Sequence, residues 1–264
     1  MTTQTATTNR VGKETTKTRE GSLPYAWIVV LHLLPGALTM LFMLLATFLL
    51  KELRIPPSVP VLFVFVAPVL ILMQLGFLLY KGWQLNGKLS LRGIVLYRDD
   101  TSPWWKLVAL ALPMLAWSAF VWFAVKTPVN NFFIEHVFAW MPVNFLDEYF
   151  LDNLNQYSPA YLRVIGVLFA LSITIGGAVE ELYFRGYLLP RMESLGVWAP
   201  ITNVVLFSLS HFWSPWENAV RLFALTPWIF AVWRTRDLYL SLLIHFTINA
   251  FAGISLLSLI LRLT

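Results

Sequence analysis

Three short clusters in this 264-residue chain set ionisable side chains among apolar neighbours. They are Glu180-Glu181-Leu-Tyr-Phe-Arg185, which follows Gly176-Gly177-Ala178, then Phe207-Ser-Leu-Ser-His211, then His245-Phe-Thr-Ile-Asn249. An ionisable residue inside an apolar span is costly, so each is a functional candidate by default. Spacing then suggests the chemistry. Residues four apart share a helix face, and acid before base is the favourable order, so Glu181 and Arg185 are expected to pair. Glu180 points about 100° away and is left without a local partner. A carboxylate so placed suits a general base. The same spacing puts His245 and Asn249 on one face, where both can donate to a single oxygen, as an oxyanion site requires.

Other chemistries find less support. The chain has no cysteine, which excludes a thiol nucleophile, a disulfide framework and any zinc site built with Cys. It has neither an H-E-x-x-H metal motif nor a G-x-S-x-G nucleophile elbow. Asp99, Asp100, Asp147, Asp152 and Asp237 fall outside or at the edges of apolar stretches, which argues against an aspartyl dyad. Two histidines and a carboxylate can hold zinc, so Glu180, His211 and His245 form the second-ranked, metal-dependent alternative. Otherwise no cofactor is expected. His32 reads as a packing or interfacial histidine, His136 beside Glu135 as a loop residue, Phe207 as packing, and Arg98-Asp99-Asp100 as a solvated turn.

The elements that must position these residues are transmembrane helices. The sequence is 58% hydrophobic and 12% charged, against roughly 45–50% and about 25% in soluble domains. Mean hydropathy is +0.68. Seven apolar stretches can be read, at 25–50, 59–80, 107–125, 161–179 (extending to Leu189), 197–212, 219–233 and 238–261. The last is long enough to break into an eighth element, so the expected fold is an all-α, polytopic transmembrane bundle of about seven to eight helices. Pro35, Pro68, Pro113 and Pro227 fall inside stretches as tolerated kinks. Trp27, Trp104, Trp105, Trp213 and Trp216 sit near segment ends, as interfacial belts do.

Lys and Arg cluster in alternate connections. Arg10, Lys13, Lys17 and Arg19 precede the first stretch, and Lys81, Lys88, Arg92, Arg98 and Lys106 lie between the second and third. Arg185 and Arg191 follow the fourth, and Arg234 and Arg236 the sixth. The opposite set, Lys51, Arg54, Lys126, Arg163, Arg221 and Arg262, is sparser, so the N-terminus is expected in the cytoplasm. The net charge of +5 is read as topology and lipid attraction, not nucleic-acid binding. Residues 1–22 are polar and Thr-rich and are expected to be a disordered cytoplasmic tail. Residues 23–264 then form one transmembrane domain in the cell membrane. The connection 127–160, with Glu135, Asp147, Glu148 and Asp152 and no Lys or Arg, reads as an external loop with amphipathic structure. At about 1.5 Å per residue, Glu180, His211, His245 and Asn249 lie roughly 16, 21, 10 and 16 Å from the cytoplasmic end of their helices. They can converge near mid-membrane.

In this order, E-E-x-x-x-R, F-x-x-x-H and H-x-x-x-N resemble the CPBP family, which comprises the type II CAAX prenyl endopeptidases and the bacteriocin-processing or ABI proteins. Arg185-Gly186 followed by Leu188-Leu189-Pro190 resembles the family's continuation after its first motif. The resemblance covers about residues 161–256. It implies a membrane-embedded protease in which Glu180 activates the attacking water, His211 holds and polarises it, and His245 with Asn249 stabilises the oxyanion. Glu181 and Arg185 then support the site structurally. The implied substrate is a membrane-associated protein or peptide: a CAAX-type tail, a leader or a sorting peptide. The alternative from another class is a non-catalytic membrane scaffold or immunity protein of the same fold.

Overall fold

The structure, a computed structural model, describes residues 21–53, 59–98, 102–141 and 157–263. The expectation of a disordered tail falls outside these up to residue 20, as do Asp99, Asp100, Asp147, Glu148 and Asp152. Among the described residues every regular element is helical, as the composition required. The helices are α1 (Tyr25–Glu52), α2 (Val59–Asn86), α3 (Trp104–Phe120), α4 (Lys126–His136), α5 (Pro159–Glu180), α6 (Trp198–Leu209), α7 (Asn218–Thr235) and α8 (Leu238–Leu263). A π-helical turn (Val121–Val125) joins α3 to α4. Another π-helical segment (Glu181–Leu188) continues α5 and runs into a 3₁₀ helix (Leu189–Leu195).

Five helical runs are long and apolar enough to cross a membrane: Tyr25–Leu50, Pro60–Asn86, Trp104–His136, Pro159–Leu195 and Leu238–Arg262. Large apolar side chains such as Leu72 (70%) and Phe123 (72%) stand exposed on them. In lipid that is the stable arrangement, because the helix satisfies its own backbone and apolar side chains need no protein cover. Pro35, Pro68, Pro113 and Pro227 all lie inside helices, as expected.

The fifth and sixth apolar stretches depart from expectation. α6 has 12 residues, about 18 Å of helix, and cannot cross the roughly 30 Å of a hydrocarbon core. Helix stops at Leu209, and Pro215 prevents its resumption through Ser214, which leaves the helical region (φ −143°). The chain passes His211 as irregular backbone before α7 begins. Such backbone survives at membrane depth only where protein buries it or a polar cavity adjoins it. A second departure is that α3 runs through its π turn into α4, so 127–136 extends the third span and is not loop.

α5 and α8 form the most extensive helix pair, with α2 against α5. Small residues bring α5 and α8 together. A Cβ on Gly253 would stand 2.7 Å from Ala170 Cβ, and one on Gly166 2.9 Å from Ile260 Cδ1. This is the small-residue packing that lets membrane helices approach closely. The start of α5 is capped by the Ser158 hydroxyl, which accepts from the Tyr161 N–H, with Pro159 at the first helical position.

One end of the bundle is tied together by long-range bonds. Leu23 N–H donates to Arg191 O (3.1 Å), Leu96 N–H to Gly186 O (2.8 Å) and Leu238 N–H to Tyr97 O (2.8 Å). Ser102 N–H donates to Asp237 Oδ2 at 2.8 Å, and Arg236 pairs with Glu193 at 3.4 Å. The start of α1, the α2–α3 connection, the end of the 3₁₀ helix and the α7–α8 turn therefore share one face. These are the connections where the cations concentrate. Arg191, however, is no solvated interfacial charge. It is buried, donates to Ile94 O and Tyr187 O, and lies over the Tyr187 ring at 3.9 Å. Trp27, Trp104 and Trp105 are exposed at helix ends, whereas Trp213 and Trp216 are buried under the irregular segment and belong to no belt.

Candidate active site

The two adjacent glutamates have opposite environments. Glu181 opens the π segment, is fully buried, and is engaged by three side chains. Its Oε1 accepts from His245 Nδ1–H at 2.7 Å and is ion-paired with Arg185 Nη1 at 3.2 Å, and its Oε2 accepts from the Ser241 hydroxyl. Ser241 in turn accepts from Trp228 Nε1–H at 2.8 Å. The expected Glu181–Arg185 pair is present, with both side chains at 0% exposure. Arg185 is also caged by aromatic faces, its guanidinium 4.1 Å from the Phe207 ring centroid, 5.6 Å from Trp228 and 5.8 Å from Phe184. Ring quadrupoles offset part of what a cation desolvated in this way has lost from water.

Glu180, the last residue of α5, is partly exposed and makes no hydrogen bond or ion pair with another described residue. The Phe207 ring links the three clusters, packing on the Arg185 guanidinium at 4.1 Å and on the His211 ring at 4.9 Å, while Arg185 pairs with the Glu181 that His245 also reaches.

The histidine tautomers follow from their partners. A carbonyl oxygen only accepts, so His211 Nδ1 carries the proton it gives to Phe207 O at 2.9 Å. In the neutral ring Nε2 is then an acceptor. The His211 ring sits between Phe207 and Trp213, with centroids at 4.9 and 4.8 Å. The backbone just before it is pinned against α1, where a Cβ on Gly36 would overlap the Ser210 carbonyl. His245 Nδ1 likewise faces an acceptor, the Glu181 carboxylate, to which it donates. An N–H at His245 Nε2 exists only when both ring nitrogens are protonated.

Asn249 donates through Nδ2 to Ile173 O on α5 at 2.7 Å. This bond joins α8 to α5 and leaves a second amide hydrogen unassigned. Gly177 makes the approach possible, since a Cβ there would stand 2.5 Å from Asn249 Nδ2 and 3.1 Å from His245 Nε2. Gly177, His245 and Asn249 thus lie along the α5–α8 seam, Glu180 stands one turn beyond Gly177 on α5, and His211 follows the end of α6. Among the described residues no group of three His, Asp or Glu side chains is placed to hold a metal ion. The alternative ligand set Glu180, His211 and His245 is therefore not gathered as a coordination shell.

Other assignments resolve simply. His32 is buried, bonded to Ile28 O (2.7 Å) and to Asn203 (3.0 Å), whose amide also donates to Phe184 O. It packs behind the π segment. His136 is the last residue of α4, bonded to Phe132 O and stacked on the Phe132 ring, and is not in a loop. Phe207 is packing, as expected, but its face also supports Arg185. Two site residues went unnoticed in the sequence. Ser241 stands four before His245 and eight before Asn249, so its place on that helix face was legible. Arg221 read as a loop charge and is instead nine-tenths buried beside the site.

No curated protein and no solved structure matches the chain. A family model does match, that of the type II CAAX prenyl endopeptidase Rce1-like family, over residues 162–251. This is about a third of the chain, and it contains Glu180, Glu181, Arg185, His211, His245 and Asn249. The resemblance read from the three motifs therefore holds, and across its last helices this chain is similar to the type II CAAX prenyl endopeptidase Rce1-like family.

Proposed function

We propose that the chain is an intramembrane endopeptidase in which Glu180 activates water to cut a membrane-associated protein or peptide. One observation carries this reading: Glu181 is saturated by Arg185, His245 and Ser241, whereas its neighbour Glu180 is free to accept. A water between Glu180 and His211 donates one hydrogen to the carboxylate and the other to His211 Nε2. Glu180 takes the proton as the water oxygen attacks the scissile carbonyl. The oxyanion accepts from the second Nδ2–H of Asn249 and is stabilised by His245 beside it. Glu180 then returns its proton to the leaving amide nitrogen, which departs as an amine. Glu181 acts through His245, holding its Nδ1–H and so aiming Nε2.

The substrate class that fits is a CAAX-type tail, a leader or a sorting peptide presented at the membrane. The test is reconstitution of the full chain in proteoliposomes with lipid-anchored peptides of these three kinds, prenylated and unprenylated, read by mass spectrometry. Cleavage of one kind at a defined bond, unaffected by phenanthroline because every acting group is a side chain, is the expected result. Cleavage lost with chelator and restored by zinc would overturn the Glu180 mechanism. Intact peptides throughout, from well-folded protein, would favour the scaffold reading.

A further inference from the structure

Arg221 lies outside all three motifs, yet its hydrogen bonds run to the segment that carries His211. It projects from the first turn of α7 and is nine-tenths buried. Its Nη1 donates to Asn218 Oδ1 at 2.9 Å and reaches Ser214 O at 3.5 Å. Its Nη2 donates to the Ser214 hydroxyl at 2.5 Å and to Glu217 Oε2 at 2.8 Å. Glu217 is anchored from its other oxygen by Lys126 Nζ at 2.9 Å, at the start of α4 within the third span.

These bonds bear on the irregular segment that carries His211. Ser214 N–H donates to His211 O at 3.0 Å, closing a turn whose far end is the residue Arg221 grips by hydroxyl and carbonyl. The segment has no helical ladder of its own, so its conformation depends on these contacts. Both terminal nitrogens of Arg221 are occupied by protein acceptors, which argues against a direct substrate contact. The planar fork also explains the residue type. A lysine ammonium could keep the pair with Glu217 but could not bridge Ser214, Asn218 and Glu217 together.

We infer that Arg221 is a positioning residue of the peptidase site, holding the Ser214 turn against α7 and thereby aiming His211 at the water beside Glu180. The inference rests on the peptidase reading. It places the rigidity of the site partly outside the motif helices, in a chain running Lys126, Glu217, Arg221, Ser214 and His211.

The test compares Arg221→Lys, Arg221→Met and Ser214→Ala with the wild-type chain in proteoliposomes, each rate normalised to folded protein. A misplacement of the order of 1 Å can cost about 100-fold in rate. Arg221→Lys is expected to stay folded, keep KM, and lose about 10- to 100-fold in kcat. Ser214→Ala is expected to lose less, also in kcat. Arg221→Met should fall furthest, so that lysine gives partial rescue. If Arg221→Met fails to fold, the other two variants still decide. Wild-type kcat per folded molecule in Arg221→Lys and Ser214→Ala would overturn the inference, as would a change confined to KM. A wild-type chain that cleaves nothing would instead defeat the peptidase reading beneath it.

Discussion

Arg185→Met offers the sharpest test of how the core of the site is held. The substitution removes the cation from a fully buried pair, leaving the Glu181 carboxylate with His245 and Ser241 but no guanidinium. Removing one partner of such a pair costs about 3–5 kcal/mol, because a charge remains buried without its counterion. Methionine keeps apolar contact with Phe207, Phe184 and Trp228, so packing loss adds little. Adding Glu181→Gln removes the stranded charge, leaving an amide oxygen to accept from His245 and an NH2 that can donate to the Ser241 hydroxyl oxygen. Replacing both partners of a buried pair is often neutral or stabilising. The double variant should therefore recover about 2 kcal/mol or more of the single variant's loss, as residues in direct contact do. The assay is equilibrium unfolding in mixed detergent micelles, followed by tryptophan fluorescence. An Arg185→Met chain as stable as wild type, or a double variant no more stable than that single one, would refute the reasoning.

Gly177→Val should displace Asn249 and His245, since a Cβ already stands 2.5 Å from Asn249 Nδ2. About 1–3 kcal/mol of stability and about 100-fold in single-turnover rate are the expected losses. Gly176→Ala, where a Cβ meets nothing within 4 Å, should change neither. For topology, we propose a cytoplasmic N-terminus. A cysteine introduced at exposed Lys88 should then react with impermeant reagent only from the cytoplasmic side, and one at exposed Asn131 only from outside. The reverse pattern at either position would invert the orientation.

Local spacing made part of the site legible. Glu181 and Arg185 pair because four residues on one helix bring acid and base together whatever the tertiary context. His245 and Asn249 share a face for the same reason, and of the seven apolar stretches read, five lie in helical runs long enough to span. What could not be read depends on neighbours far along the chain. The π segment begins at Glu181 with no propensity signal. It lies where Gly186 meets Val95, at 2.6 Å from a Cβ, and where Leu96 donates to the Gly186 carbonyl. The burial of Arg191 depends on Ile94. Trp213 and Trp216 lie near the end of an apolar stretch and so resemble interfacial residues, yet the chain turns there inside the bundle. Arg221 was misread because a lone cation beside an apolar run signals topology. Its partners Ser214, Glu217 and Asn218 lie seven, four and three residues before it, and could have hinted at a buried network.

The central claim is that Glu180, and not Glu181, activates the water. Its most direct test is single-turnover cleavage by Glu180→Gln in proteoliposomes, with unfolding curves measured on the same protein. Glutamine keeps the shape and hydrogen-bonding reach of glutamate but cannot take the proton. The expected result is a rate lowered about 10²- to 10⁴-fold, with stability and substrate binding close to wild type. A Glu180→Gln chain that still cuts at the wild-type rate would contradict the account and pass the base role to another group.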